Sequence, residues 1–147
     1  MLSDLFAGAG ISFLNFAIHA VMTAFIVAAT RRTAAITDHL GVFLRLTALL
    51  TITMIVLMIA HVVEIGVWAA FYASADIRVE KAGYFEFAFE NYTALGYGDA
   101  VAVDGHRLIG PITALNGLLL IGWSVAIIFE VMRMAELQIG RDDKESG

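Results

Sequence analysis

Three apolar stretches, each long enough to cross a bilayer, divide this chain and leave it little choice of fold. The ionisable residue of Ile11 to Thr30 is His19. Leu46 to Ala73 contains His61 and Glu64, and Leu108 to Phe129 carries no charge. A transmembrane helix needs about 20 predominantly apolar residues. Hydrophobic residues make up 60% of the chain and charged residues 16%, against about 45–50% and about 25% in soluble domains. The solvent for most of this surface is therefore lipid. The 147 residues are enough for one domain.

Composition also excludes several functions. With no cysteine, disulfides and thiolate chemistry are absent. A net charge of −5 is not the basic footprint of a nucleic-acid binder. Met1 to Gly10 holds Asp4 and no basic residue, so no cleaved signal peptide is expected.

Basic residues set the expected orientation. Residues 31–45 hold Arg31, Arg32 and Arg45, and the end of the chain holds Arg133, Arg141 and Lys144. The positive-inside rule places these segments in the cytoplasm and the N-terminus outside, in a multi-pass protein of the cell membrane. Segment 74–107 then lies outside, where Asp76, Glu80, Glu86, Glu90, Asp99 and Asp104 outnumber Arg78, Lys81 and Arg107. Trp68, Phe71 and Tyr72 close the second span. They fit either an outer aromatic belt or packing against the segment that follows.

Within that outer segment, Tyr84 to Tyr92 is aromatic-rich and reads as a short re-entrant helix. Thr93-Ala94-Leu95-Gly96-Tyr97-Gly98-Asp99 follows it. Between two spans, this run resembles the selectivity filter of bacterial potassium channels, and residues 44–135 resemble their outer helix, pore helix, filter and inner helix. Such filters turn rings of backbone carbonyls toward a pore, where the oxygens replace the hydration shell of a cation. Gly96 and Gly98 suit a backbone that must reverse direction at alternate residues, since glycine enters positive φ without steric cost.

The resemblance implies an all-α membrane protein with three transmembrane helices per chain, a re-entrant pore helix and a filter, assembled as a homotetramer in lipid. It implies K⁺ as the transported ion, carried by the carbonyls of Thr93, Ala94, Leu95, Gly96 and Tyr97. No organic cofactor and no enzymatic activity are implied. Extended at about 3.3 Å per residue, this filter spans on the order of 13 Å. Residues 1–43 form an additional helix and cytoplasmic linker outside the minimal unit, and 136–147 a short cytoplasmic tail. Ala94 stands where many such channels have a second threonine whose hydroxyl helps form the innermost ion site, so K⁺ over Na⁺ selectivity is open at this position. Leu95 replaces the usual valine and keeps an apolar side chain behind the filter. Gly98 and Asp99 support the filter. Some relatives pair a glutamate at the Glu90 position with the aspartate after the filter. Two close carboxyls then share a proton. Otherwise Glu90 faces water or meets Arg78 or Lys81.

Ionisable residues inside spans are functional candidates. His61 and Glu64 share a helix face at i, i+3. They read as a strut that holds the pore helix, as a proton sensor, or as a His/Glu metal site with Glu86 and Glu90. His19 and Asn116 read as helix–helix hydrogen bonders, with Asn116 alternatively lining the pore. Gly117 and Gly122 are close-packing positions or bends. Glu130 either contributes to an acidic ring at the inner mouth or pairs with Arg133.

No span repeats arginine at every third position, so strong voltage sensing is not expected. Passive K⁺ conduction is the leading expectation. A weakly selective cation channel and a non-conducting pore-fold sensor are the alternatives. No nucleophile–base pair or metal motif supports an enzyme.

Overall fold

The computed structural model describes residues 2–36, 41–77, 79–96, 102 and 105–145, with side chains excepted at 34–36 and 138–145. The described residues form three long helices and one short one: α1 (Leu2–Ile36), α2 (Val42–Ser74), α3 (Tyr84–Tyr92) and α4 (Ile109–Glu145). The short helix has the expected bounds. The apolar windows Leu2–Thr33, Val42–Ser74 and Ile109–Leu137 are each long enough to cross a membrane. All three exceed the expected spans at both ends or nearly so, because helix geometry persists into the polar flanks. At 1.5 Å per residue the helices run to about 50 Å, longer than a hydrocarbon core of about 30 Å.

Two sequence boundaries therefore shift. Arg31 and Arg32 belong to the last turns of α1, and Arg45 lies buried in the first turn of α2. The cytoplasmic linker expected at the end of segment 1–43 shortens correspondingly, and residues 37–40 lie outside the described part.

Burial follows helical stripes. On α1 the buried positions are Asp4, Gly8, Asn15, His19, Ile26 and Thr30, in steps of four and seven. On α2 a stripe runs from Arg45 through Leu49, Thr53, Leu57, Ala60 and Glu64 to Trp68 and Tyr72. Steps of three and four keep residues on one face. The stripe of α1 is largely polar, while Phe6, Phe13 and Phe25 of the same helix point outward. Phe43 and Met58 on α2 and Leu115 and Phe129 on α4 are likewise exposed. This polarity is the reverse of a water-soluble bundle and suits helices whose surroundings are as apolar as their own side chains. Buried threonines close their hydroxyls onto carbonyls one turn back, as Thr30 does to Ile26 and Thr53 to Leu49, so none is left unsatisfied.

The core divides lengthwise. At one end Trp68, Tyr72, Phe87, Tyr92, Ile109 and Leu120 join α2, α3 and α4. At the other, Ile26, Leu49, Leu57 and Val131 join the long helices. Trp68 and Tyr72 are fully buried, so packing beneath α3 accounts for them rather than a headgroup belt. Trp68 Nε1 donates to Asn116 Oδ1 at 2.9 Å, and the Tyr72 and Thr113 hydroxyls are hydrogen-bonded.

The start of α1 sits at the α3 end of the molecule. His106 Nδ1 lies 3.1 Å from Asp4 Oδ1, and Gly8 packs against Ile112. An isolated bridge pairs Val79 with Ala102, tying the segment before α3 to the segment after it.

Gly117 is where α4 crosses α3. A β-carbon there would lie 1.9 Å from the Tyr92 carbonyl oxygen. Gly117→Ala is expected to lose on the order of 1–3 kcal/mol through overpacking, outweighing the gain of up to about 1 kcal/mol in helix propensity. Gly10, with nothing within 4 Å of the added carbon, serves as the control: Gly10→Ala should be neutral or stabilising. Thermal unfolding in detergent reads both, and equal melting temperatures for the two variants would contradict this packing.

Candidate functional site

α3 ends in a compact reversal. Thr93 keeps helical dihedrals (φ −81°, ψ −4°), and Ala94 then turns left-handed at φ +55°. The Ala94 amide donates to Asn91 O at 2.9 Å and the Leu95 amide to Glu90 O at 3.0 Å. These are the two bonds of a Schellman closure, in which a left-handed residue lets the chain satisfy the last carbonyls of a helix. Glycine usually occupies that position. Alanine there carries a cost of about 1–2 kcal/mol.

The closure fixes carbonyl direction. No peptide in the described chain is cis, and a trans peptide points its C=O opposite to the N–H of the next residue. Because the amides of Ala94 and Leu95 point back into α3, the carbonyls of Thr93 and Ala94 point away from it. Gly96 is left-handed again at φ +53°, two residues after Ala94. Left-handed residues at alternate positions keep amides on one side of the strand and carbonyls on the other. The alternating reversal expected at Gly96 and Gly98 begins here at Ala94, and about 3.3 Å per residue is an upper bound on the rise of such a strand. Ala94, Leu95 and Gly96 are exposed in the single chain. Tyr97, Gly98 and Asp99 lie outside the described residues, and with them the expected Glu90–Asp99 pair. Glu90 itself is half-buried.

Directly behind this turn, Glu64 is fully buried on α2 and collects side chains from the surrounding helices. His19 Nδ1 of α1 lies 2.8 Å from its Oε1. His61 Nδ1 lies 3.1 Å from Oε2. The hydroxyl of Tyr92, the last residue of α3, donates to the same oxygen and lies 2.8 Å from His61 Nδ1. Ser124 Oγ of α4 closes the group, 2.9 Å from His61 Nε2 and 3.4 Å from His19 Nε2. The Trp123 ring covers His19 with 5.3 Å between centroids. A buried carboxylate persists only with such partners.

Residues 58–134, just over half of the chain, match the family model of an ion channel domain. The chain belongs to the ion channel family. No curated protein and no solved structure matches it. The matched region runs from mid-α2 through α3 and the turn at 93–96 into α4. It contains the turn and the members of the Glu64 cluster other than His19.

The remaining candidates of this channel fall into place around them. Gly117 touches the carbonyl of Tyr92 and so acts as a close-packing residue. Glu130 and Arg133 form a two-bond pair at 2.9 and 2.7 Å on the exposed face of α4, which sets a cation beside each acid. Asn116 accepts from Trp68 Nε1 and, at 3.1 Å, from Asn15 Nδ2, so it bonds between helices. Among the described residues, the carboxylates Glu86 and Glu90 do not join the His61–Glu64 cluster. His19 of α1 takes that place.

Sequence reasoning set α1 apart from the pore unit and missed Asn15, Tyr92 and Ser124. One signal was available: Asn15 and His19 stand at i, i+4 on an otherwise apolar helix and share its buried face.

Tyr92→Phe removes one donor from a buried carboxylate and should cost about 1–3 kcal/mol. Ala94→Gly removes the left-handed penalty and should gain about 1 kcal/mol. Thermal unfolding of the channel in detergent separates the two by sign. A destabilised Ala94→Gly variant would contradict the turn described here.

Proposed function

We propose that this channel passes K⁺ selectively, as a homotetramer in the cell membrane. Main-chain carbonyls of Thr93, Ala94, Leu95, Gly96 and Tyr97 from four chains would line the conduction path. The observation that carries the proposal is the common direction of the Thr93 and Ala94 carbonyls, away from α3, combined with left-handed backbone at Ala94 and Gly96. Carbonyl oxygens gathered on one side of a strand supply what a dehydrating cation needs. A single strand offers too few of them, and Leu95 is 55% exposed in the isolated chain. Neighbouring copies would cover the leucine and complete each oxygen ring. The C-terminal end of α3 points its partial negative charge toward the same region.

Conduction needs no bond made or broken. The protein's part is to hold the oxygens where hydration would hold them and to keep each site weak enough to release its ion. Glu64 serves this by fixing Tyr92, one residue before the first carbonyl. Orientation follows from the basic residues. The N-terminus and the turn at 93–96 would face outward, and the C-terminal end of α4 would face the cytoplasm.

Ala94 favours a second reading, a weakly selective monovalent cation channel. Four chains with alanine here lack four hydroxyl oxygens at the innermost site, and those oxygens bear on K⁺ over Na⁺ preference.

Flux into liposomes tests both. Protein reconstituted under a K⁺ gradient should carry a barium-sensitive flux, and Gly96→Ala should reduce it by adding, after Ala94, a second side chain on left-handed backbone. Wild-type flux in that variant would refute the carbonyl path. Equal rates under K⁺ and Na⁺ gradients would establish the weakly selective reading instead.

A further inference from the structure

The cluster around Glu64 is short of hydrogens. Four contacts close a ring: Glu64 with His19, His19 with Ser124, Ser124 with His61, and His61 with Glu64. Each contact needs one hydrogen. An ionised carboxylate brings none, two neutral imidazoles bring one each, and a serine hydroxyl brings one. Tyr92 has already given its own to Glu64. One contact is left without a hydrogen, which a positive centre bound in the ring would satisfy.

Ser124 indicates where that centre sits. A hydroxyl oxygen accepts two hydrogens, so it can receive the Nε2–H of both histidines. In that arrangement both imidazoles carry their hydrogen on Nε2. Both Nδ1 lone pairs then face the carboxylate with nothing between them.

We propose that this is a binding site for a divalent transition-metal cation of the zinc class. Its ligands would be Nδ1 of His19, Nδ1 of His61 and the carboxylate of Glu64, with the Tyr92 phenol oxygen as fourth donor. The ligand atoms of the two histidines and Glu64 lie within 4.8 Å of one another. Metal–nitrogen bonds of about 2.0–2.1 Å in tetrahedral geometry set ligand atoms about 3.3 Å apart. The observed separations of 2.8 Å to Oε1 and 3.1 Å to Oε2 need to open by a few tenths of an ångström, and the shorter contact of Tyr92 with Oε2 by more. Ser124, bonded to both outer nitrogens, supplies the orienting contact that metal-bound imidazoles require. Glu64 and an ionised Tyr92 would balance the two positive charges, leaving no net charge in an apolar interior. Tyr92 gives up its phenol hydrogen when it ligates the metal, so binding releases a proton to solvent. His61, whose side chain is 18% exposed while those of His19 and Glu64 are fully enclosed, is the side by which the ion arrives. An occupied site would clamp Tyr92, and with it the turn at 93–96, to α1 and α2. Metal binding itself is independent of which ion the pore carries.

The whole chain, purified in detergent and stripped with a chelator, is titrated with Co²⁺. One Co²⁺ per chain is expected, with the intense visible bands of four-coordinate cobalt, proton release on binding and displacement by Zn²⁺. His61→Gln and Glu64→Gln should abolish the bands, and Glu130→Gln, outside the cluster, should keep them. Tyr92→Phe retains the packing and should shift the bands by removing the fourth donor. Wild-type protein that gives no four-coordinate cobalt spectrum overturns the proposal and leaves a proton as the missing centre, whatever the variants do. A spectrum that survives His61→Gln, or is unmoved in Tyr92→Phe, overturns it equally by placing the metal elsewhere.

Discussion

Glu64 is the residue on which the architecture turns. A carboxylate at the centre of an apolar bundle is tolerated only if every approach to it is filled by hydrogen-bonding groups. Here α1 provides His19, α2 provides His61, and α3 provides Tyr92. Ser124 of α4 bridges the two imidazoles from the opposite side. Lipid gives helices little hydrophobic reason to associate with one another, so polar contacts of this kind and close backbone approach must do it. Gly117 provides the second: α4 lies directly against the Tyr92 carbonyl. Both interactions converge on the residue that precedes the carbonyl-bearing turn.

That convergence links fold to function. A left-handed alanine followed two residues later by a left-handed glycine is not a conformation a free strand holds. It persists because the Schellman closure anchors the amides of Ala94 and Leu95 to α3, and because α3 is pinned through Tyr92. Ala94 carries left-handed backbone at this turn, and the fully buried carboxylate of Glu64 holds the residue two positions before it.

Much of this was legible in the residues. Three apolar stretches identified three long helices, because length and hydropathy leave lipid-embedded segments few alternatives. Gly83 and the aromatic run to Tyr92 delimited α3. Glycine at 96 anticipated positive φ there. The ends of the long helices were not legible, since helical hydrogen bonding continues into polar sequence once packing supports it, as at Arg45. Nor was the left-handed turn at Ala94, because alanine carries no signature for that conformation and only the closure of α3 imposes it. The partners of Glu64 were half visible. His61 stands one turn away in sequence, whereas His19 and Tyr92 reach it, and Ser124 reaches the two imidazoles, only through the packing of separate helices.

The most direct test of the carbonyl path is a density map of the assembled channel in Rb⁺, viewed along its symmetry axis. The account predicts four copies of the 93–97 strand around a single column of ion density, with the sites separated by no more than about 3.3 Å, one residue's rise. A map in which these strands lie apart, with no shared axial density between them, would contradict it.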